Sequence, residues 1–385
     1  MMKKAFKTEI ILSKTQQQKI TQTIGTSRYV YNLYLATAQS HYKETGKHLS
    51  GYDFSKWLNN VYVKERDCWI KDVSSKAVKQ AIMNGDRAFK NFFKGIAKFP
   101  RFKKKKDQTV KAYFPKNNKT DLLVERHRIK VPTIGWVRLK EYGYIPTDRV
   151  VKSCTISQRG NRYYISVLCE FDTPQIIPIS EHDGIGVDVG LKEFAVCSHH
   201  EVFPNINKMP KIKKLEKQLK RQQRKLSRSY EQNKNRKVGE TCYKNRQKQL
   251  IKLQKLHARL TNIRREYIRF VVNQLVKAKP AYITIEDLNV KGMMKNRHLA
   301  KAIAGQCFYY FEEWLLSKCK EHGIELRQAN RFYPSSKLCS CCGTKKVKLS
   351  LSERTFKCDA CHIEIDRDFN ASLNLKYATE YEVLT

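Results

Sequence analysis

The chain has 385 residues, 41% of them hydrophobic, which is enough for two or three folded domains with separate cores and excludes a disordered polypeptide. Its 76 Lys and Arg against 36 Asp and Glu leave a formal charge of +40, a self-repulsion that a polyanionic partner relieves. The basic residues are interleaved with 20 Tyr and 17 Phe, which suits phosphates and stacked bases better than an anionic membrane surface or plain solubilising charge.

The charged N-terminus is followed by no apolar block of signal-peptide length, and no stretch reaches transmembrane length. A cytoplasmic bacterial protein is therefore expected, associated with the nucleoid when bound to DNA and making no membrane contact. Twelve cysteines in such a chain argue against a disulfide framework. Five of them crowd between Cys339 and Cys361, which points to a metal site.

Residues 4–12 read as a strand, and Ser13 with Gln16 forms a capping-box pattern that opens a helix. Helices are predicted over Ser27 to Glu44, stopped by Gly46, then Tyr52 to Lys64, and Ser74 to Lys94. The last has Ala77, Ala81, Ala88, Phe89, Phe92 and Phe93 as its buried face. The segment from Phe99 to Lys106 then breaks the helix and sets a Lys run and Arg101 beside two aromatic rings, a pattern that fits either a phosphate-contacting loop or a solvated linker. From Val110 to Phe171 short alternating strands dominate, clearest at Val151 to Gln158 and Arg162 to Phe171 around Gly160. The first half is thus predicted as a β-rich barrel with a helical insert, and a Pro-containing linker from Thr173 to Pro178 separates it from a second domain.

That domain opens on the apolar strand from Gly184 to Gly190, which carries Asp188. Between Lys208 and Arg269 stand 22 Lys and Arg against four Glu. Leu215, Leu219 and Leu226 mark one helical seam, and Leu250, Leu253, Leu256, Leu260 and Ile263 mark another, with the turn of a hairpin near Gly239. So large an excess of one sign destabilises a hairpin unless phosphates neutralise it, so nucleic acid is expected along it.

Three acids close apolar or cysteine-rich segments: Asp188, Glu286 after the buried-type run Ala281 to Ile285, and Asp368 before a C-terminal helix. Each alone reads as readily as a helix cap. Together, in a basic chain, they suit phosphodiester hydrolysis, in which two divalent ions about 3.5–4 Å apart activate a water and neutralise the leaving oxygen. Hard cations take oxygen ligands, which carboxylates supply. Cys339, Cys342, Cys358 and Cys361 form two C-x2-C pairs separated by 15 residues, the spacing of a four-thiolate zinc ribbon or knuckle. Such a site is closed, so its zinc is structural; Cys341 and His362 are spare ligands.

The runs from Gly186 to Gly190, Ile285 to Asn289, Phe332 to Lys337 and Asp366 to Ala371 stand in an order and spacing that resemble the TnpB family, transposon-encoded RNA-guided DNA nucleases related to the type V CRISPR effectors. Ala88 to Phe93, Phe99 to Phe102 and Pro132 to Val137 extend the likeness across the first half. The resemblance implies a multidomain α+β architecture. Residues 1–180 would be a β-barrel wedge domain with a helical recognition insert over about 13–106. Residues 183–330 and 364–385 would be a RuvC-like, RNase H-type nuclease domain with the basic hairpin inserted at about 208–270, and 331–363 a zinc module. It further implies Asp188, Glu286 and Asp368 as catalytic ligands of two magnesium ions, with Asp366 orienting a neighbour, and one structural zinc. Guide RNA and target double-stranded DNA would be the partners, with the cut made next to a short adjacent motif.

Readers of that motif are expected on the helix holding Lys76, Lys79, Gln80 and Asn84, with further nucleic-acid contacts at Arg101, Lys103, Arg221 and Arg224. Gly305, Phe308 and Ile365 depart from the family's usual residues without removing an expected ligand. A CRISPR-associated or domesticated descendant, or a guided repressor without cleavage, would share these features, although a repressor would tolerate loss of an acid and all three are present.

Overall fold

The computed structural model describes residues 2–66, 68–104, 110–116, 118–172, 183–234, 243–350 and 353–384. The expected linker at 173–178, the hairpin turn near Gly239, and Lys105 and Lys106 of the basic loop lie outside the described residues. The chain divides into two compact units, Met1–Thr173 and Pro174–Thr385, each with its own sheet. Among the described residues no helix is long and apolar enough to cross a membrane.

In the first unit, β1 (Met2–Ile11), β2 (Val110–Pro115), β3 (Arg128–Val131), β4 (Gly135–Leu139), β5 (Val150–Arg159) and β6 (Arg162–Phe171) form an antiparallel sheet in the order β2-β5-β6-β1-β4-β3. Alternate residues of β5 and β6, among them Ile156, Ile165, Val167 and Cys169, point into a core shared with Phe114, Ile129 and Val137. The strands surround this one core as a half-barrel, and among the described residues no pairing joins the edge strands β2 and β3. β4 pairs with β1 at Ile10↔Leu139 and Ile11↔Arg138, and the edge strand β3 has four residues.

The helical insert lies between β1 and β2. Both halves of the Ser13 capping box are made: Gln16 N–H donates to Ser13 Oγ at 3.2 Å and Ser13 N–H to Gln16 Oε1 at 3.1 Å. From this cap a single helix, Lys14–Thr45, runs to Gly46 (φ 69°) without the separate start expected at Ser27. Its buried stripe explains the continuity. Ile20 and Ile24 enter the sheet core while Val30, Tyr34, Leu35 and Ala38 enter a second core with Phe54, Ile82 and Phe89, so one helix ties insert to sheet. The helix Gly51–Trp57 continues through a π-helical turn, Leu58–Tyr62. The helix Ser75–Phe93 buries Ala77, Ala81 and Phe89 as expected, but Ala88 and Phe92 are half-buried and Phe93 is exposed against Tyr42, because the helix outruns the core beneath it. Its buried Asp86 accepts from Tyr34 Oη, His48 Nε2 and Lys90 Nζ at 3.3, 2.9 and 2.7 Å.

In the second unit, β7 (Ile185–Val189), β8 (Glu193–Cys197), β9 (Val202–Pro204), β10 (Tyr282–Glu286) and β11 (Glu325–Ala329) join one sheet, while β12 (Thr355–Lys357) and β13 (Glu364–Asp366) pair as a separate hairpin. With β14 (Tyr381–Val383) the sheet order is β14-β11-β10-β7-β8-β9, and β7, β10 and β11 are mutually parallel neighbours at its centre. On one face Ile185, Val187, Ile283 and Ile285 pack against Ile268, Val271 and Leu275 of the helix Tyr243–Lys277 and Phe311 and Leu315 of the helix Phe308–His322.

The alternate residues Gly186 and Asp188 of β7, and Tyr282, Thr284 and Glu286 of β10, belong to the opposite face. The C-terminal helix Arg367–Lys376 covers it, with Tyr282 Oη donating to Lys376 O at 3.1 Å. The basic helix Pro210–Gln232 packs on the outer part of Tyr243–Lys277 through Ile212, Leu215, Leu219, Leu256, Leu260 and Ile263, most of the seam the leucine spacing predicts.

A Cβ on Gly186 would stand 1.9 Å from Ser372 O and 2.4 Å from Lys376 N, both backbone atoms of the C-terminal helix, whereas one on Gly25 would meet nothing within 4 Å. Gly186→Ala should therefore destabilise the protein by about 3 kcal/mol, while Gly25→Ala, in an open helix interior, should stabilise it by about 0.5–1 kcal/mol. Thermal denaturation of the two variants checks the opposite signs.

Candidate active site and cysteine module

The last paired residues of the parallel strands β7 and β10 are Val187 and Ile285, so Asp188 and Glu286 each come next, side by side at the carboxyl ends of neighbouring strands. The third acid arrives on a different element. Asp366 closes β13 and caps the C-terminal helix, its Oδ1 accepting from the N–H groups of Asp368 at 2.9 Å and Phe369 at 3.1 Å. Asp368 thus stands in the first turn of a helix whose backbone lies against Gly186, two residues before Asp188.

The electrostatics record the convergence. Burial, then the Glu286 and Asp368 carboxylates, push the Asp188 carboxyl well above the usual range, with Arg367 opposing. Burial also raises Glu286, against the pull of the Ser335 hydroxyl and Arg367 and with a further push from Asp368. Among the described residues, the four cysteines bring their sulfurs within 4.8 Å of one another.

Several residues that hold this site carry no obvious signal of their own. Ser335 donates to Glu286 Oε1 at 2.5 Å. Its segment is clasped by the C-terminal helix: Asn374 Nδ2 donates to Ser335 O at 2.7 Å and Leu338 O at 2.8 Å, Asn370 Nδ2 to Leu338 O at 2.7 Å, and Tyr333 Oη to Asn374 O at 3.0 Å. Two asparagines four apart on one helix, both buried, were the available clue, since Asn is a poor helix former that is kept inside only when its amide is used. On the far side, the buried Gln306 donates to Gly190 O at 2.9 Å and fixes the backbone leaving β7.

In the cysteine module, Cys339 and Cys361 sulfurs lie 3.5 Å apart, as do those of Cys342 and Cys358. A tetrahedral zinc with bonds of about 2.3 Å requires thiolates about 3.8 Å apart, so the cluster fits that ion. Amides of Ala360 and Cys361 point at Cys358 Sγ from 3.4 and 3.5 Å. Hydrogen bonding from Thr344 holds the Cys342 thiol down at about 6, ready to ligate as thiolate. Cys341 and His362 stand outside the four-sulfur set. The core beneath is small, Phe356 with Leu349, Ile363 and Ile365 around the cysteines, too little to fold without a staple.

The other expected contacts are dispersed. Lys76 is engaged with Asp121, Lys79 lies 5.6 Å over the Tyr52 ring, and Gln80 Nε2 donates to Asn84 Oδ1 at 3.0 Å. Lys103 sits 3.8 Å over the Tyr31 ring, where burial lowers its pKa. Arg101, Arg221 and Arg224 are exposed. Gln80, Asn84 and Lys103 do share one cleft of 260 Å³ with Arg28, Lys111 and Tyr113.

Two outcomes follow. Cys358→Ala, or zinc removal by a chelator, should lower the unfolding midpoint by roughly 10 °C or more as a fraction of the zinc-linked folding energy is lost, and metal analysis should return one zinc per wild-type chain. A carboxyl whose folded pKa is raised contributes stability below the ordinary carboxylate range that is lost as pH rises through the raised value. In magnesium-free buffer Asp188→Asn should therefore melt higher than wild type at pH 7.5 and no higher at pH 4. A difference independent of pH would contradict the burial and repulsion that raise this carboxyl.

Three family models match the chain: a helix-turn-helix domain over residues 1–47, a model described as "Probable transposase" over 169–297, and a Cas12f1-like TNB domain over 308–375. The first of these covers a strand and one unbroken helix here. A Streptomyces pristinaespiralis protein named "Putative RNA-guided DNA endonuclease" is 31% identical over 97% of this chain and 88% of its own. InsQ of Escherichia coli, named likewise, is 30% identical over 96% and 91%. More distant relatives include TnpB-like proteins of Acanthamoeba polyphaga mimivirus. The structure of the mini-RNA-guided endonuclease CRISPR-Cas_phi3 aligns over 98% of this chain and 92% of its own, at 11% identity and a TM-score of 0.46. With full-length relatives at this level of identity, the chain belongs to the TnpB family.

Proposed function

We propose that the protein is an RNA-guided DNA endonuclease that cuts both strands of a duplex beside a short adjacent motif, with Asp188, Glu286 and Asp368 as the ligands of two magnesium ions. The observation that carries this reading is the gathering of three carboxylates from three elements, two of them raised in pKa by burial and then by a neighbouring carboxylate, in a chain of formal charge +40. Without a cationic ligand such a grouping only costs stability. The donor set is oxygen throughout, which suits a hard cation. When bound, the ions supply a nucleophilic water and a counter-charge for the leaving oxygen.

The chain's own residues do the positioning. Ser335 fixes the rotation of the Glu286 carboxylate, leaving Oε2 for a ligand. Asp366 sets the start of the helix and with it the depth of Asp368, and Gln306 anchors the backbone after Asp188. Guide and target follow from the names of the relatives and from the exposed basic face of Pro210–Gln232. The adjacent motif is read in the cleft holding Arg28, Gln80, Asn84 and Lys103, where Ser27 Oγ is buried without a hydrogen-bond partner. Lys76, tied to Asp121, supports that cleft rather than reading from it.

Purified with its flanking RNA and given matched plasmid and magnesium, the wild type should cut. Asp188→Ala, Glu286→Ala and Asp368→Ala should each cut at least about a thousandfold more slowly while still binding the plasmid. Asp366→Ala should lose only about 1 kcal/mol of stability as a missing cap. Wild type cutting no faster than the acid variants would overturn the assignment.

A further inference from the structure

Phe332 is 89% exposed, the highest value of any large apolar side chain among the described residues. No other described ring packs on it, although the two residues that follow are firmly held. An exposed aromatic ring on a loose loop would need no explanation. This loop is not loose, and its position is the reason to look further.

Both ends of the loop are fastened to one catalytic-site residue. Before it, Ala329 of β11 is the register partner of Glu286. After it, Ser335 donates to the Glu286 carboxylate at 2.5 Å. Phe332 is the midpoint between these two anchors. The backbone around it is tied down: Phe332 N–H donates to Asn330 Oδ1 at 3.1 Å, Tyr333 N–H to Asn330 O at 2.8 Å, and Asn330 N–H to Glu380 O at 3.2 Å. Tyr333 next to it points inward, its hydroxyl on Asn374 O. Alternation at a pinned turn therefore buries the tyrosine and presents the phenylalanine to solvent.

The ring borders a cleft of 560 Å³ whose lining includes Gln328, Asn330, Arg331 and Tyr381 together with the acids Asp287, Glu380 and Glu382. Arg331 is neutralised there by Asp287 at 2.6 Å yet remains half exposed. A flat apolar face beside amides, and carboxylates that accept from base amino groups while repelling phosphate, has the chemistry of a nucleobase subsite whose phosphate lies outside the cleft.

We infer that Phe332 is a stacking platform for one unpaired base of the DNA strand entering the acid cluster, holding that nucleotide so that the neighbouring phosphate meets Glu286. This rests on the nuclease reading above. Rigidity matters because a platform three residues from each Glu286 anchor transmits the position of the base to the phosphate without a flexible link. An unpaired strand is required, since a base inside a duplex has no free face to offer. Stacking is indifferent to base identity, so the platform positions without reading sequence.

The test uses the guide-loaded protein and matched duplexes in which 2-aminopurine, or an abasic nucleotide, is walked through the cleavage region. Two variants are compared, Phe332→Ala and Phe332→Trp; neither removes a buried group. For wild type and Phe332→Trp, one 2-aminopurine position should be quenched on binding, and that quench should be absent in Phe332→Ala. Phe332→Ala should cut about tenfold or more slowly, Phe332→Trp near the wild-type rate. An abasic nucleotide at the quenched position should slow wild type and leave Phe332→Ala no slower than it already is. Phe332→Ala cutting within twofold of wild type with the quench retained would overturn the inference, and so would an equal loss in Phe332→Trp. A Phe332-dependent quench in a wild type that fails to cut would leave the platform standing and sink the nuclease reading instead.

Discussion

The backbone of the C-terminal helix lies directly on Gly186, and the site depends on that approach. A side chain at that position would collide with the Ser372 carbonyl and the Lys376 amide. Because strand residues alternate, the face that carries the empty position 186 also carries Asp188, and the helix that settles on the first delivers Asp368 beside the second. Close packing of backbone on backbone is what lets a carboxylate from the end of the chain join two from the parallel strands. Their mutual repulsion is held in place by the aliphatic packing on the opposite face of the same strands, where Ile185, Val187, Ile283 and Ile285 are buried. That packing offsets the cost of gathering like charges out of water.

The cysteine module is part of the same construction. Its hairpin ends at Asp366, which caps the helix bearing Asp368, and its first cysteine follows the segment that Asn370 and Asn374 clasp. Through Ser335 that segment reaches the Glu286 carboxylate. A metal closing the four thiolates thus orders both the cap of one acid and the partner of another, although no sulfur touches a carboxylate. In this reading the zinc is structural in its chemistry and its influence extends into the acid cluster by covalent continuity and the side-chain bonds of Asn370, Asn374, Tyr333 and Ser335.

The basic charge is distributed by the same economy of contacts. The helix Pro210–Gln232 leaves Arg221 and Arg224 in solvent, while its Glu216 takes Arg264 and Lys301 at 2.8 and 2.7 Å where the hairpin meets the domain. Arg264 continues to Asn207, Asn207 to Gln306, and Gln306 to Gly190, so the root of the hairpin is joined by hydrogen bonds to the strand end that carries Asp188. Positive charge is compensated within the protein at that root, whereas Arg221 and Arg224 have no carboxylate partner among the described residues.

Much of this was legible in the residues themselves. The capping box at Ser13, the stop at Gly46, the hairpin at Gly160 and the leucine seams are local in origin, set by side chains three or four positions apart or by a glycine that accepts positive φ, and they appear where the spacing puts them. The cysteine spacing likewise named the four sulfurs that converge. Less local matters were not legible. The Lys14–Thr45 helix runs through Ser27 because two different cores bury its two halves, and the first strand of the chain comes to lie between β6 and β4. Ser335, Asn370, Asn374 and Gln306 gained their roles only when elements distant in sequence met. The sequence by itself determined which residue types were available as ligands, caps and seams. Only the tertiary structure decided which of them share a neighbourhood, since burial, mutual repulsion and hydrogen bonding depend on distances that chain order does not contain.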